Sequence, residues 1–234
     1  MIKDQMETTI QIVKPINLIV YDFETTGLLD KPDVQPIELA AYHINKDGEK
    51  KVLHKYIACP YSIEDEVINK KTGQTISDLT GITDSMLSEG FELKDVMAEF
   101  KELLVTAKRD KPYCVVGHNI LRFDNKLYKM MQQRLGDNHY IVDSDCFDTG
   151  GQFKGELLGW NKFENLRHYQ YQEKCLDAYA RVKWNLTAAG EYYGIASSGK
   201  AHAAIGDIEN NLQVLIKQLK KIGKIPENLI QHEL

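Results

Sequence analysis

Ile16-Asn-Leu-Ile-Val-Tyr21 is followed directly by Asp22-Phe-Glu24-Thr-Thr-Gly27. The first stretch is a short apolar run, which predicts a buried strand. Asp22 and Glu24 are two residues apart, and such side chains in an extended strand point to the same face. Carboxylates are rarely buried unless they are paired or bind a metal. The stretch therefore predicts a strand that carries two acidic groups toward one cation site.

Three further polar residues stand beside apolar runs later in the chain: Asp124, His202 and Asp207. Ligand sets made only of carboxylates favour Mg²⁺ or Mn²⁺ over zinc. Two such ions about 4 Å apart can clamp the attacking and leaving oxygens of a phosphoryl displacement. A histidine with a pKa near neutrality can take the proton of a metal-activated water. The five residues together predict a metal-dependent phosphodiesterase site.

Each of these signals is weak when it is taken alone. An Asp-x-Glu pair at the end of a strand is more often a solvated end or a helix cap, and Asp124 near a helix start is most often a cap. A single histidine such as His202 is most often a surface residue. The combination, in this order and beside these apolar runs, favours the metal site.

Composition and charge limit the classes of protein that the chain can belong to. The 234 residues, 43% of them hydrophobic and 27% charged, are typical of one large soluble domain. The net charge of −5 argues against coating duplex DNA by bulk electrostatics, so a nucleic acid must be held locally. No apolar run is long enough to cross a bilayer, and the start of the chain does not resemble a secretory signal. Four scattered cysteines without a CxxC pair favour reduced thiols in a cytoplasmic setting.

Hydrophobic periodicity predicts a hairpin first, followed by alternating helices and strands. This order indicates an α/β fold with strands of mixed direction. Besides the first strand, we expect strands at residues 37–44, 51–58, 113–117 and 140–142, and helices at residues 92–107, 123–135, 186–193 and 201–222.

Three motifs closely resemble those of the DEDD superfamily of 3′–5′ exonucleases, in its DnaQ-like, histidine-bearing DEDDh branch. The first is Asp22-Phe-Glu24-Thr-Thr-Gly27, the second runs from His118-Asn119 to Phe123-Asp124, and the third runs from His202 to Asp207. Leu79 to Thr83 and Leu186 to Ile195 resemble the family's connecting segments. The resemblance spans residues 16–219, and the combination of motifs is specific.

The resemblance implies an RNase H-like three-layer fold with a five-stranded mixed sheet. It implies that Asp22, Glu24, Asp124 and Asp207 bind two divalent cations, Mg²⁺ or Mn²⁺, and that His202 is the general base. By the same resemblance, hydrolysis would release nucleoside 5′-monophosphates from the 3′ end of a nucleic-acid strand. The resemblance also implies that the last nucleotides contact a set of residues around the motifs, with Leu28 against a base: Thr25, Thr26, Gly27, Leu28, Asn119, Phe123 and His202.

We expect one exonuclease domain over residues 1–234, with residues 150–184 as an insertion. Aromatic and basic residues alternate in that insertion, and such a pattern can stack and track single-stranded nucleic acid. A helical insertion whose aromatics pack in a small core explains the pattern better. The basic residues Lys217, Lys220, Lys221 and Lys224 indicate a solvated helix face more than a phosphate contact.

The leading function hypothesis is excision from single-stranded or frayed DNA, as in proofreading beside a DNA polymerase or in end trimming. An exoribonuclease of the same family is the nearest alternative, because no motif reads the 2′-hydroxyl with certainty. A scaffold that binds nucleic acid or a polymerase without cutting is the alternative from another class. The complete five-residue set argues against the scaffold.

Overall fold

The computed structural model describes residues 10–31, 33–160, 165–196 and 203–234. Its strands are β1 (Gln11–Val13), β2 (Asn17–Thr25), β3 (Pro36–Ile44), β4 (Lys50–Tyr56), β5 (Val67–Asn69), β6 (Gln74–Thr75), β7 (Tyr113–Gly117), β8 (Cys146–Asp148) and β9 (Lys224–Pro226). Its helices are α1 (Ile76–Thr80), α2 (Asp84–Ser88), α3 (Leu93–Arg109), α4 (Asp124–Arg134), α5 (Thr149–Leu157), α6 (His168–Asp177), α7 (Leu186–Tyr193) and α8 (Ala204–Ile222). Two 3₁₀ turns cover Asp143–Asp145 and Glu227–His232.

Five strands form the central sheet in the order β4-β3-β2-β7-β8. The β2–β3 and β3–β4 pairs are antiparallel, whereas β2–β7 and β7–β8 are parallel. The predicted α/β class with a five-stranded mixed sheet is confirmed. The strand directions follow from the connections. A tight turn at residues 45–48 permits only an antiparallel β3–β4 pair, and α3 supplies the crossover that a parallel strand requires.

The two faces of β2 are buried against different helices. Ile19, Tyr21 and Phe23 pack with residues of α3 and α4, such as Phe100 and Tyr128. The alternate residues pack instead with the inner face of α8, in the cluster that contains Leu18, Val20, Ile208 and Leu212. Helices on both faces of the sheet make three layers. Every second side chain of β2 therefore points toward α8.

The predicted strand at residues 140–142 is wrong. The strand that pairs with β7 is Cys146–Asp148, a few residues later. The side chain of Ile141 is buried in the core on the α3 and α4 side, whereas Tyr140 is 55% exposed. Three apolar residues are too few to distinguish a strand from a segment that covers the core.

Several elements were not expected from the sequence. The short helices α1 and α2 begin where Thr75 and Thr83 accept backbone N–H groups, and Gly81, with a φ of +75°, ends α1. Strand β1 pairs in parallel with β9, which joins the two ends of the described chain. None of the described helices is both long and apolar enough to span a membrane.

Parts of the segment 150–184 pack into the core of the molecule. Phe153 packs with Ala189 of α7 and Val214 of α8, and Tyr171 is 2% exposed. Trp184 stacks on His118 at 6.1 Å between ring centroids. These contacts support the packed interpretation for Phe153, Tyr171 and Trp184, whereas Tyr179 is 95% exposed. Phe163 lies outside the described residues.

The basic residues near the end of α8 are largely paired. Lys217 and Lys220 both contact Glu233, and Lys221 contacts Glu156 at 2.6 Å. These ion pairs support the interpretation of this surface as a solvated helix face.

Candidate active site

Three of the predicted site carboxylates meet between β2 and α8. Asp22 and Glu24 follow Leu18 and Val20 at every second position of β2, so they continue the face of the strand that points to α8. Asp207 stands in the first turn of α8. One carboxylate oxygen from each of Asp22, Glu24 and Asp207 lies within 4.8 Å of the others. The sheet and the helix thus bring the first and third motifs together.

Asp124 reaches the same region from the first turn of α4. The parallel pairing of β2 with β7 ends at Val20, so the N–H groups of β2 beyond this point have no strand partner on that side. Phe23 N–H donates to Asp124 Oδ1 at 3.1 Å. Asp124 lies outside the group of three, but its charge acts on the pKa of Asp22 and Glu24. The second motif therefore supplies a fourth carboxylate beside the other three.

The site is strongly acidic and partly desolvated. Burial is the main reason why the pKa of Glu24 is raised to about 8, and the charges of Asp207, Glu38 and Asp124 add to the effect. Burial also raises the pKa of Asp124 to about 7, against the opposing hydrogen bond from Phe23 N–H. The pKa of Asp22 is raised by burial and by its acidic neighbours. A divalent cation would remove this mutual repulsion, so the residues present fit a metal site.

Glu38 is an additional acidic residue at this site that the sequence analysis missed. It lies opposite Glu24 in the β2–β3 ladder and is 1% exposed. Its Oε2 accepts a hydrogen bond from Ala204 N–H at 3.1 Å, and its Oε1 lies 2.6 Å from His54 Nε2. Glu38 therefore connects β3 and β4 to the beginning of α8. A lone carboxylate inside the apolar run of β3 was the signal in the sequence.

The residues expected around a terminal nucleotide differ in how much surface they offer. Leu28, four residues after Glu24, is 67% exposed, as a contact with a base requires. Thr26 is 3% exposed and its hydroxyl accepts a hydrogen bond from Gln35 N–H, so this side chain stabilises the loop. Thr25 donates to the carbonyl of Gly27 at 2.7 Å.

The turn between β7 and α4 carries Asn119 and Phe123. Asn119 adopts a φ of +66°, a left-handed conformation that asparagine tolerates better than most residues. Its N–H donates to Asp148 Oδ1 at 3.0 Å. Phe123 is half-buried and immediately precedes α4. The turn thereby fixes where α4, and with it Asp124, begins.

His118 and Asp148 form hydrogen bonds within the protein. His118 contacts Thr149 Oγ1 at 3.1 Å and the carbonyl of Trp184 at 2.8 Å, and burial lowers its pKa to about 4. Asp148 caps α5 by accepting a hydrogen bond from Gly151 N–H. Both residues therefore hold neighbouring segments together by hydrogen bonds. The predicted base, His202, lies outside the described residues.

Comparison with known proteins agrees with the motifs. The RNase_T family, described as exonuclease, matches residues 19–215. A DNA polymerase III of the PolC type from Staphylococcus haemolyticus is 36% identical over 219 residues, which cover 90% of this chain and 12% of that protein. The corresponding Staphylococcus aureus protein is 26% identical over 231 residues, 95% of this chain and 13% of the relative. The chain thus spans only about an eighth of the length of these relatives.

Solved structures share the fold at low sequence identity. Exonuclease I of E. coli in complex with a dA16 oligonucleotide has a TM-score of 0.61 at 16% identity, over 88% of this chain and 41% of that one. A 3′-exonuclease that recognises the histone mRNA stem-loop has a TM-score of 0.58 at 15% identity, over 92% of this chain and 67% of that one. The predicted RNase H-like fold and the predicted superfamily are confirmed. The match over most of its length shows that the chain belongs to the RNase_T family of exonucleases.

Proposed function

We propose that the protein is a metal-dependent 3′–5′ exonuclease that removes nucleoside 5′-monophosphates from single-stranded or frayed DNA. The observation that carries the proposal is the meeting of Asp22, Glu24 and Asp207 within 4.8 Å, in a chain of an exonuclease family. The preference for DNA is supported by the 36% identity to a DNA polymerase III. Proofreading beside a polymerase, in a cytoplasmic setting, is part of the same proposal.

The four carboxylates would hold two divalent cations, Mg²⁺ or Mn²⁺. When bound, such ions lower the pKa of water and offset negative charge on a phosphate. Asp22 and Glu24 are fixed by the β2 ladder, Asp207 by α8 and Asp124 by the hydrogen bond from Phe23 N–H. The chain thus contributes ligands from three separate elements, whose relative position sets the geometry of the site.

The remaining motif residues would bind the substrate and move a proton. His202 would accept the proton of the attacking water. The exposed side chain of Leu28 would pack against a terminal base, while Thr25, Thr26, Gly27, Asn119 and Phe123 would shape the nucleotide pocket with His202. We also propose that residues 1–234 act as one exonuclease domain with residues 150–184 as an insertion.

Product analysis on end-labelled strands tests the proposal. A 5′-labelled DNA oligomer and its RNA counterpart are incubated with Mg²⁺ or Mn²⁺, and the shortened strands and released mononucleotides are separated. We expect stepwise loss from the 3′ end of DNA and release of 5′-monophosphates. Cleavage of RNA alone would contradict the DNA preference, and no cleavage of either strand would support a non-catalytic scaffold.

Asp22→Asn is the matched control for contaminating nucleases. The amide has nearly the same shape as the carboxylate but lacks its charge, so the variant should keep its fold and lose metal-dependent hydrolysis. Circular dichroism checks the fold of the same preparation. Parent-like cleavage by Asp22→Asn would show that the activity does not come from this site.

A further inference from the structure

Helix α8 buries two amide side chains on the same side as Asp207. Asn211 is 2% exposed and Gln218 is fully buried. At about 100° per residue, Asn211 lies about 40° and Gln218 about 20° around the helix from Asp207, so the three share one side. The neighbouring face of α8 belongs to the apolar cluster that contains Ile208 and Leu212. A line of polar groups thus runs along α8 beside its apolar face.

Both amides bind the same residue, Thr149 at the start of α5. Thr149 Oγ1 donates to Asn211 Oδ1 at 2.6 Å, and Gln218 Nε2 donates to the carbonyl oxygen of Thr149 at 2.9 Å. Thr149 is fully buried, so water does not compete for these hydrogen bonds. Because the two bonds come from separate turns of α8, they fix this helix against α5 both along its axis and around it.

Thr149 is joined at the same time to the second motif. Its Oγ1 lies 3.1 Å from His118 Nδ1 and 3.3 Å from the carbonyl oxygen of Gly117, at the point where β7 ends. The preceding residue, Asp148, accepts a hydrogen bond from Asn119 N–H at 3.0 Å. The helix of the third motif and the turn of the second motif therefore meet at one pair of buried neighbours.

The apolar face of α8 does not by itself fix where the helix lies along its axis. Apolar contacts are non-directional, whereas a hydrogen bond requires a narrow range of distance and angle. Asp207 precedes Asn211 by about one helical turn, so a shift of α8 moves both residues together. Mg²⁺ accepts oxygen ligands only close to about 2.1 Å and in near-octahedral geometry, so such a shift weakens its binding.

We propose that Thr149 is a positioning residue for the proposed metal site. Through its bonds to Asn211 and Gln218, it sets where α8 lies. It thereby sets the position of the Asp207 carboxylate relative to the two carboxylates of β2. His118 belongs to the same unit, since it contacts the same hydroxyl group. The proposal rests on the proposed function, because it assigns how one of the proposed metal ligands is held.

Two substitutions at Thr149 test the role of the hydroxyl group. Thr149→Val replaces the hydroxyl by a methyl group of similar size, whereas Thr149→Ser keeps the hydroxyl. Thr80→Val is the matched control, because Thr80 is 6% exposed and its hydroxyl bonds to Ile76 and Ile82 within its own segment. Urea denaturation of the metal-free proteins shows whether each variant folds and how much stability it loses.

Calorimetric titration with Mn²⁺ is the first readout, and it requires no cleavage. We expect Thr149→Val to bind Mn²⁺ about 10- to 100-fold more weakly, the typical loss when a residue that orients a metal ligand is replaced. Thr149→Ser should bind Mn²⁺ like the parent, and so should Thr80→Val although it loses stability. Parent-like Mn²⁺ affinity in Thr149→Val, or an equal loss in Thr80→Val, would overturn the proposal.

A second variant gives the same comparison if Thr149→Val does not fold. Asn211→Leu has a similar shape and removes the acceptor of the Thr149 hydroxyl from the side of α8. It should also weaken Mn²⁺ binding relative to Thr80→Val. Equal Mn²⁺ affinities in these two variants would show that the position of Asp207 does not depend on the contact with Thr149.

Single-turnover cleavage of a 5′-labelled DNA oligomer at saturating Mn²⁺ is the second readout. Thr149→Val should lower the rate of cleavage. The affinity for the oligomer in EDTA, measured by fluorescence anisotropy, should stay unchanged, because a fully buried residue does not contact a strand. A weaker affinity for the oligomer at an unchanged rate would contradict a role in positioning the metal ligand.

The two readouts separate failure of this proposal from failure of the proposed function. If the parent cleaves DNA and Thr149→Val binds Mn²⁺ like the parent, the exonuclease proposal stands and the positioning role is wrong. If Thr149→Val binds Mn²⁺ more weakly but the parent cleaves neither DNA nor RNA, the positioning role stands and the exonuclease proposal is wrong. A parent that binds no Mn²⁺ would overturn both.

Discussion

At the scale of single residues, Glu38 anchors the start of α8 although it is not one of the motif residues. Its carboxylate is the acceptor for the buried N–H of Ala204 at the start of α8, and α8 carries Asp207. Glu38→Ala leaves that N–H without a partner, which costs about 1–3 kcal/mol of folding free energy. We expect weaker Mn²⁺ binding as well, because the helix that presents Asp207 loses an anchor.

Urea denaturation and calorimetric titration with Mn²⁺ measure the two effects. Glu38→Gln is the conservative control, since its amide oxygen can still accept the hydrogen bond from Ala204. A Glu38→Ala variant with parent-like stability and Mn²⁺ affinity would show that Glu38 does not position α8.

His202 permits a second prediction at this scale. A general base typically accelerates the reaction by about 10²- to 10⁴-fold, so His202→Ala should slow hydrolysis by roughly this factor at neutral pH. Mn²⁺ affinity should change little, because the four carboxylates are intact. Single-turnover rates on a labelled DNA oligomer measure the loss. A parent-like rate would exclude His202 as the base.

At the scale of elements, Asp148 determines how three segments meet. Its carboxylate accepts hydrogen bonds from Asn119 N–H at 3.0 Å, Leu121 N–H at 3.0 Å and Gly151 N–H at 2.8 Å. The end of β8, the start of α5 and the turn before α4 are thus joined at one fully buried group. The position of Asp124 depends on this turn.

Asp148→Ala should destabilise the protein by about 3 kcal/mol or more, because three donors lose their acceptor and each costs about 1–3 kcal/mol without being additive. Asp148→Asn should be intermediate, since an amide has a single acceptor oxygen. Urea denaturation gives the free energies, and Asp65→Ala, at an exposed position, is the control. A loss below 1 kcal/mol for Asp148→Ala would contradict the argument.

At the scale of the whole molecule, the acidic site links folding to pH and to metal. The folded protein raises the pKa of Asp124 to about 7 and of Glu24 to about 8, both chiefly by burial. The folded state therefore binds more protons than the unfolded state, and stability falls as pH rises through these values. The low pKa of His118 acts in the opposite direction, but only below about pH 6.5.

Between pH 6.5 and 8.5 we expect the Tm of the metal-free protein to decrease. Each kcal/mol lost corresponds to about 2–4 °C for a chain of this length. Mn²⁺ should raise the Tm most at pH 8.5, because the cation replaces the missing protons. Differential scanning calorimetry with and without EDTA measures both trends. In the double variant Asp22→Asn/Glu24→Gln, the Tm should depend less on pH. An unchanged pH dependence of the Tm in that variant would show that other groups cause it.

The sequence by itself determined the order of the main elements and the family to which the chain belongs. The apolar run before Asp22 predicted β2, the period of apolar residues predicted α3 and α8, and the three motifs predicted the family. Local periodicity suffices for such elements, because burial of one face is encoded in the spacing of apolar residues. The short segment before β8 was predicted wrongly, since three residues carry too little pattern.

Only the tertiary structure decided which groups face one another. Nothing in the sequence shows that Glu38 lies opposite Glu24, because the β2–β3 register pairs residues 14 positions apart. The contact of Glu38 with Ala204 depends in the same way on elements that are distant in the chain. Such proximity results from the packing of whole faces against a common core, and no local pattern of residues encodes it.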